Sequence, residues 1–169
     1  KQAIENHFKP IEKLEKALLD LEGTLDYVIL DGAAGLGRET LATVKAADEL
    51  LVVTNPEMPA LTDALKTIQL AHKMKKPILG ILLTRNREDG MDIPIKEVEK
   101  MLEYPVIGVI PEDSTIRQSL FVKNPVIFSH PKSAAAKSYQ KLAAKIAGEK
   151  YKEEKENKNL FDKLREFFG

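Results

Sequence analysis

The sequence contains no cysteine and no tryptophan, and only three histidines. Without cysteine there is no disulfide, no thiolate metal centre and no cysteine nucleophile, a composition that suits a reducing compartment. His7, His72 and His130 are scattered with no ligand spacing, which leaves them structural or surface roles. Net charge is lacking too, because 26 basic residues cancel 26 acidic ones. That balance argues against bulk electrostatic binding of nucleic acid, which depends on neutralising many phosphates, though it leaves room for a local patch. No apolar run reaches the roughly 20 residues that a membrane-spanning helix needs, and no signal-peptide pattern opens the chain.

What is present suits one globular domain with a real core: 169 residues, of which 43% are hydrophobic. Ile4, Phe8, Ile11, Leu14, Leu18 and Leu21 recur at helical spacing, so the chain opens on a helix. After Gly23 the pattern predicts strands near 26–30, 49–54, 78–84 and 106–110, alternating with helices near 38–47, 60–74 and 94–103. Such alternation implies right-handed crossovers and a mostly parallel sheet covered by helices on both faces. A helix near 114–122, an extended piece at Val126-Ile127-Phe128 and a long helix from about Pro131 to Ala147 complete the body. Pro131 suits a first helical turn, where its missing N–H costs nothing.

The run Tyr27-Val28-Ile29-Leu30-Asp31-Gly32-Ala33-Ala34-Gly35-Leu36-Gly37 reads as a buried strand that delivers a carboxylate and bare backbone amides to a sheet edge. Those are groups that handle magnesium and phosphate. The plainer reading makes Asp31 a helix N-cap and the glycines ordinary turn residues. Leu83-Thr84-Arg85-Asn86-Arg87 and Val109-Ile110-Pro111-Glu112-Asp113 also fall at strand ends. Three polar strand ends on one side of a parallel sheet make a binding rim.

Residues 1–148 form the body; residues 149–159 are a charged tether with one aromatic and no aliphatic side chain until Leu160. Leu160, Phe161, Leu164, Phe167 and Phe168 then fall within an arc of about 120° at helical spacing. One reading docks this amphipathic helix on the body; the other lays it in a membrane interface, with Lys158, Lys163 and Arg165 at the head groups.

Asp31 to Gly37, Ala46-Ala47-Asp48-Glu49, Val53-Thr54-Asn55-Pro56-Glu57, Leu61-Thr62-Asp63-Ala64, Thr84-Arg85 and Ile110-Pro111-Glu112-Asp113 occur in an order that resembles the MinD/ParA family of deviant Walker A ATPases. The resemblance runs from about Asp26 to Gly169. It implies a three-layer P-loop NTPase-like fold with ATP or ADP and magnesium as cofactors. Asp31 would be the Walker B acid holding magnesium through water, and Gly35 a backbone donor to the γ-phosphate. Thr84 and Arg85 would flank the adenine, with Pro111, Glu112 and Asp113 closing its other side. Asn55, Glu57 and Asp63 would lie where two ATP-bound subunits meet, Glu57 reaching the partner's ribose. Leu160 to Gly169 would target the inner face of the cell membrane from the cytoplasm, and an activator or cargo protein would complete the system.

The chain departs from that pattern in two places. Gly32-Ala33 stands where relatives carry a small residue and then proline, which makes the switch more flexible. None of the nine glycines is followed by lysine, so the P-loop signature is absent. A chain that begins at Lys1, without Met and inside a helical pattern, fits the later part of such a protein and would not hydrolyse ATP by itself. The resemblance implies a spatial regulator such as one for division-site placement; a DNA partition ATPase and a non-catalytic scaffold on the same fold are the alternatives.

Overall fold

The computed structural model describes residues 14, 16–21, 23–32, 35, 37–87 and 89–151. Helix α1 spans Arg38–Ala46 and leads into strand β1, Leu50–Thr54. Helix α2, Met58–Lys73, carries the chain over to β2, Ile78–Asn86, and α3, Ile95–Leu102, leads to β3, Val106–Pro111. Helices α4, Ser114–Phe121, α5, Val126–Ser129, and α6, Ala134–Ile146, follow. The strands form one parallel sheet in the order β1-β2-β3, with Val52 opposite Ile81 and Leu83 opposite Val109.

Alternation along β2 decides the layering. Ile81 and Leu83 pack on one face with Leu61, Ala64 and Ile68 of α2 and with Val98 and Leu102 of α3. Leu82 faces the other way, against Ala135 and Leu142 of α6. Successive strand residues point to opposite faces, so a continuous apolar run is what a sheet covered on both sides requires. In α2 the buried Leu61, Ala64, Ile68 and Ala71 recur at helical spacing, and Pro59 lies in the first turn, where no N–H is needed. Burying Leu61 and Ile68 gains about 1.5–3 kcal/mol each. Val106 N donates to Glu99 Oε1 at 2.8 Å, tying β3 to α3, and Lys76 Nζ, just before β2, donates to Ala47 O, just after α1, at 2.6 Å. Gly80 sits at φ +152° beside a register shift in β1 and β2, and a Cβ there would lie 2.6 Å from Ile107 Cγ2.

Three expectations are corrected. Residues 26–30 are not a strand, and Leu25 to Gly32 are outside the sheet. The run has strand chemistry, but a parallel strand must share its backbone groups with neighbours, and no described residue lies alongside to receive them. Ile29 is consequently 93% exposed. Residues Val126-Ile127-Phe128 form a single helical turn rather than an extended piece, closed by Ser129 N to Pro125 O and His130 N to Val126 O. Pro125 starts that turn, and burial of Val126 outweighs the preference of branched residues for strands. The last helix begins at Ala134, not Pro131, because Ser133 caps it by accepting from Ala136 N at 3.1 Å. Of the expected opening helix, residues 14 and 16–19 are described and helical, and its start lies outside the described residues, as do Leu160, Phe161, Leu164, Phe167 and Phe168.

Candidate functional site

All three strands end on one side of the sheet, and their terminal residues bond across it. Thr84 Oγ1 donates to Asn55 Oδ1 at 2.8 Å and to Thr54 O at 3.3 Å, joining the ends of β1 and β2. Glu112 N donates to Asn86 O at 2.9 Å, joining β2 to β3. Arg85 has φ 55° at the register shift between Leu83 and Asn86, a left-handed conformation that a side-chain-bearing residue adopts at a cost. Its Nε donates to Glu112 Oε2 at 3.0 Å. The expected base-flanking residues Thr84, Arg85, Pro111 and Glu112 are therefore brought together on one rim.

Glu57, which precedes α2, accepts from Arg87 Nη2 at 3.3 Å. Arg87 N in turn donates to Asp92 Oδ2. Sequence reasoning placed Arg87 at a polar strand end but missed Asp92 and both pairings; the bond to Asp92 links the end of β2 to the loop before α3. Asp63 lies within α2 and pairs with Lys66 at 2.9 Å, so the structure does not join it to Asn55 or Glu57.

Asp113 has another task. Its carboxylate accepts from Thr115 N at 2.9 Å, Thr115 Oγ1 at 2.7 Å and Ala135 N at 3.1 Å, capping α4 and α6 at once. The hydroxyl of Thr115 holds its pKa below the ordinary aspartate value; burial, the next-largest influence, opposes it, and the two amides and His130 add smaller lowering contributions. The signal was legible as Asp113-Ser114-Thr115, an N-cap signature before an apolar position. Asp113 shapes the rim and spends its oxygens on helix amides.

Asp31 and Gly35 stand apart: both are exposed, and among the described residues no hydrogen bond or ion pair ties them to the rim. Gly32 lies over α1, where a Cβ would meet Thr43 Cγ2 at 3.4 Å, and Gly35 has φ +90°. Gly37 is the N-cap of α1 and offers no side-chain cap. No cluster of three or more acidic, histidine or cysteine side chains that could hold a metal occurs among the described residues.

The family model for the ParA group's NUBPL iron-transfer P-loop NTPases matches residues 12–147. An uncharacterised ATP-binding protein of Methanocaldococcus jannaschii is 38% identical over 140 residues, which is 83% of this chain and 53% of that protein. The septum site-determining protein MinD of Bacillus subtilis is 29% identical over 166 residues, 94% of this chain and 62% of its own length. The septum site-determining protein MinD of Pyrococcus horikoshii OT3, solved complexed with Mg-ADP, superposes with a TM-score of 0.75 at 32% identity, covering 80% of this chain and 56% of that one. The chain thus spans little more than half the length of the relatives it matches.

Proposed function

Because the chain belongs to the ParA/MinD family of P-loop NTPases, we propose that it is the later part of an ATP-hydrolysing spatial regulator that dimerises with ATP and attaches reversibly to a membrane. The observation that carries this reading is the bonded rim, Asn55 with Thr84 and Arg85 with Glu112, at the carboxyl ends of three parallel strands. Open α/β sheets bind ligands at that edge.

Thr84 and Arg85 flank the base on one side and Pro111 and Glu112 on the other. The Arg85–Glu112 pair fixes the guanidinium so that it need not be ordered on binding. Asp31 holds magnesium through water, and the amide of Gly35 faces the terminal phosphate. Bound magnesium and ATP would supply the charge that draws this loop from its exposed position toward the rim. Asn55 and Glu57 face a second subunit.

Leu160, Phe161, Leu164, Phe167 and Phe168 form the membrane contact. No helix among the described residues is long and apolar enough to cross a membrane. One short amphipathic helix binds weakly, whereas a dimer presents two, and their joint attachment far exceeds either alone. The relatives named septum site-determining proteins support a role in division-site placement.

Titration calorimetry of the whole protein with Mg-ADP tests the rim: Thr84→Val should lower affinity several-fold. Unchanged affinity in Thr84→Val and in Arg85→Ala would remove the base-binding reading. Phe161→Glu should abolish ATP-dependent vesicle sedimentation while nucleotide binding persists.

A further inference from the structure

From Ser114 to Gly148 the chain has no aspartate or glutamate, yet it carries Arg117, Lys123, Lys132, Lys137, Lys141 and Lys145. Six cations and no acid give this stretch a net charge of +6 within a chain whose charges sum to zero. On α6, Lys145 donates to Ile107 O at 3.2 Å and Lys141 lies over the Tyr151 ring. Arg117, Lys123 and Lys132 are exposed and enter no ion pair among the described residues.

Exposed apolar residues fall between Arg117 and Lys132 in the sequence. Leu120 is 73% exposed, Phe121 89% and Phe128 71%, and Val122 is exposed beside them. The backbone holds them out on a tight turn: Val122 N bonds Gln118 O, Asn124 N bonds Ser119 O, and Lys123 adopts φ 52°. The opposite side of α4 is already used, with Ser119 buried and Ile116 packed beneath α6. Phe121, Val122 and His130 line one open depression, which joins the end of α4 to the end of α5.

We propose that this corner is a second contact with an anionic lipid surface. Leu120, Phe121 and Phe128 enter the acyl boundary while Arg117, Lys123 and Lys132 lie among the head groups. Exposed apolar side chains accompanied by unpaired cations are what an anionic membrane interface selects. A nucleic acid backbone would instead call for cations along the centre of the patch. The inference rests on the membrane reading above, but on none of the residues of the tail.

The whole protein, with ATP and magnesium, is sedimented with vesicles of phosphatidylglycerol and phosphatidylcholine in equal parts, and with phosphatidylcholine alone. The double variant Phe121→Ser, Phe128→Ser should bind the anionic vesicles about tenfold more weakly with the tail intact. Binding equal to wild type, while Phe161→Glu still loses it, overturns this proposal and leaves the tail reading standing. Loss in the double variant with no effect of Phe161→Glu supports this contact and removes the tail. Since the chain has no tryptophan, Phe121→Trp is a single probe. Its emission should move to shorter wavelength with the anionic vesicles. Emission that stays that of a solvated indole while the protein sediments overturns the proposal, as does a shift produced by duplex DNA and not by vesicles.

Discussion

Arg87 holds Glu57 across the gap between the end of β2 and the start of α2, at 3.3 Å. Both side chains remain well exposed, so the pair contributes at most about 1 kcal/mol of stability. We propose that the pair occupies a carboxylate that would otherwise meet a second subunit. Arg87→Ala should leave the melting temperature almost unchanged and strengthen ATP-dependent dimerisation, whereas Glu57→Ala should weaken it. Analytical ultracentrifugation with and without ATP decides; equal dimerisation in all three proteins would take Glu57 out of the subunit face.

Asp113→Ala should cost about 1–2 kcal/mol, since the N-cap of α4 and a bond to α6 disappear together. The pH dependence follows from its lowered pKa. A depressed folded-state pKa contributes stability that is present above the unfolded value, near 3.9, and lost as pH falls through the folded value. Denaturant midpoints of wild type and Asp113→Asn should therefore differ most near neutrality and converge in acid below about pH 4. A gap that persisted unchanged into that range would mean the carboxylate charge is not what stabilises the caps.

Gly80→Ala should destabilise by about 1–3 kcal/mol, because the new methyl carbon meets Ile107 Cγ2 at 2.6 Å and Pro105 O at 3.0 Å. Urea unfolding checks the magnitude. A midpoint equal to wild type would show that β3 yields at no cost.

Among the described residues β1 pairs only with β2, which leaves the other edge of its Leu-Leu-Val-Val-Thr sequence unpaired there, and Val53 is 57% exposed. Such an edge templates pairing with other chains. These 169 residues expressed alone should aggregate, and Val53→Lys should reduce the aggregation by placing a charge on the edge. A monomeric elution with cooperative melting would contradict this.

Much of the fold was legible in the sequence wherever local pattern and tertiary environment agree. The apolar runs at Leu50–Thr54, Ile78–Asn86 and Val106–Pro111 are long enough to be strands in any buried sheet, and α2 keeps one face apolar over its whole length. The stretch 26–30 failed because strand chemistry does not supply a strand's neighbours. Val126-Ile127-Phe128 failed because three residues are too few for periodicity to decide, and the turn at Pro125 decided instead. The rim was legible in Thr84, Arg85, Pro111 and Glu112, since each follows an apolar strand. Arg87–Glu57 was not, because its partners are brought together only by the crossover between β1 and β2.

Asp113 has a mechanical consequence. It is chained to Glu112, whose carboxylate grips Arg85 on the rim, and it is also pinned to the first turn of α6. Helix α6 is 13 residues long, so it reaches about 20 Å from that pin. Leu142 against Leu82 and Lys145 on Ile107 O hold the rest of that length on the sheet, so α6 is a stiff rod laid along the strands with its first turn tied one residue from Glu112. Asp113 thereby fixes the start of α6 to the strand end that carries the Arg85–Glu112 pair.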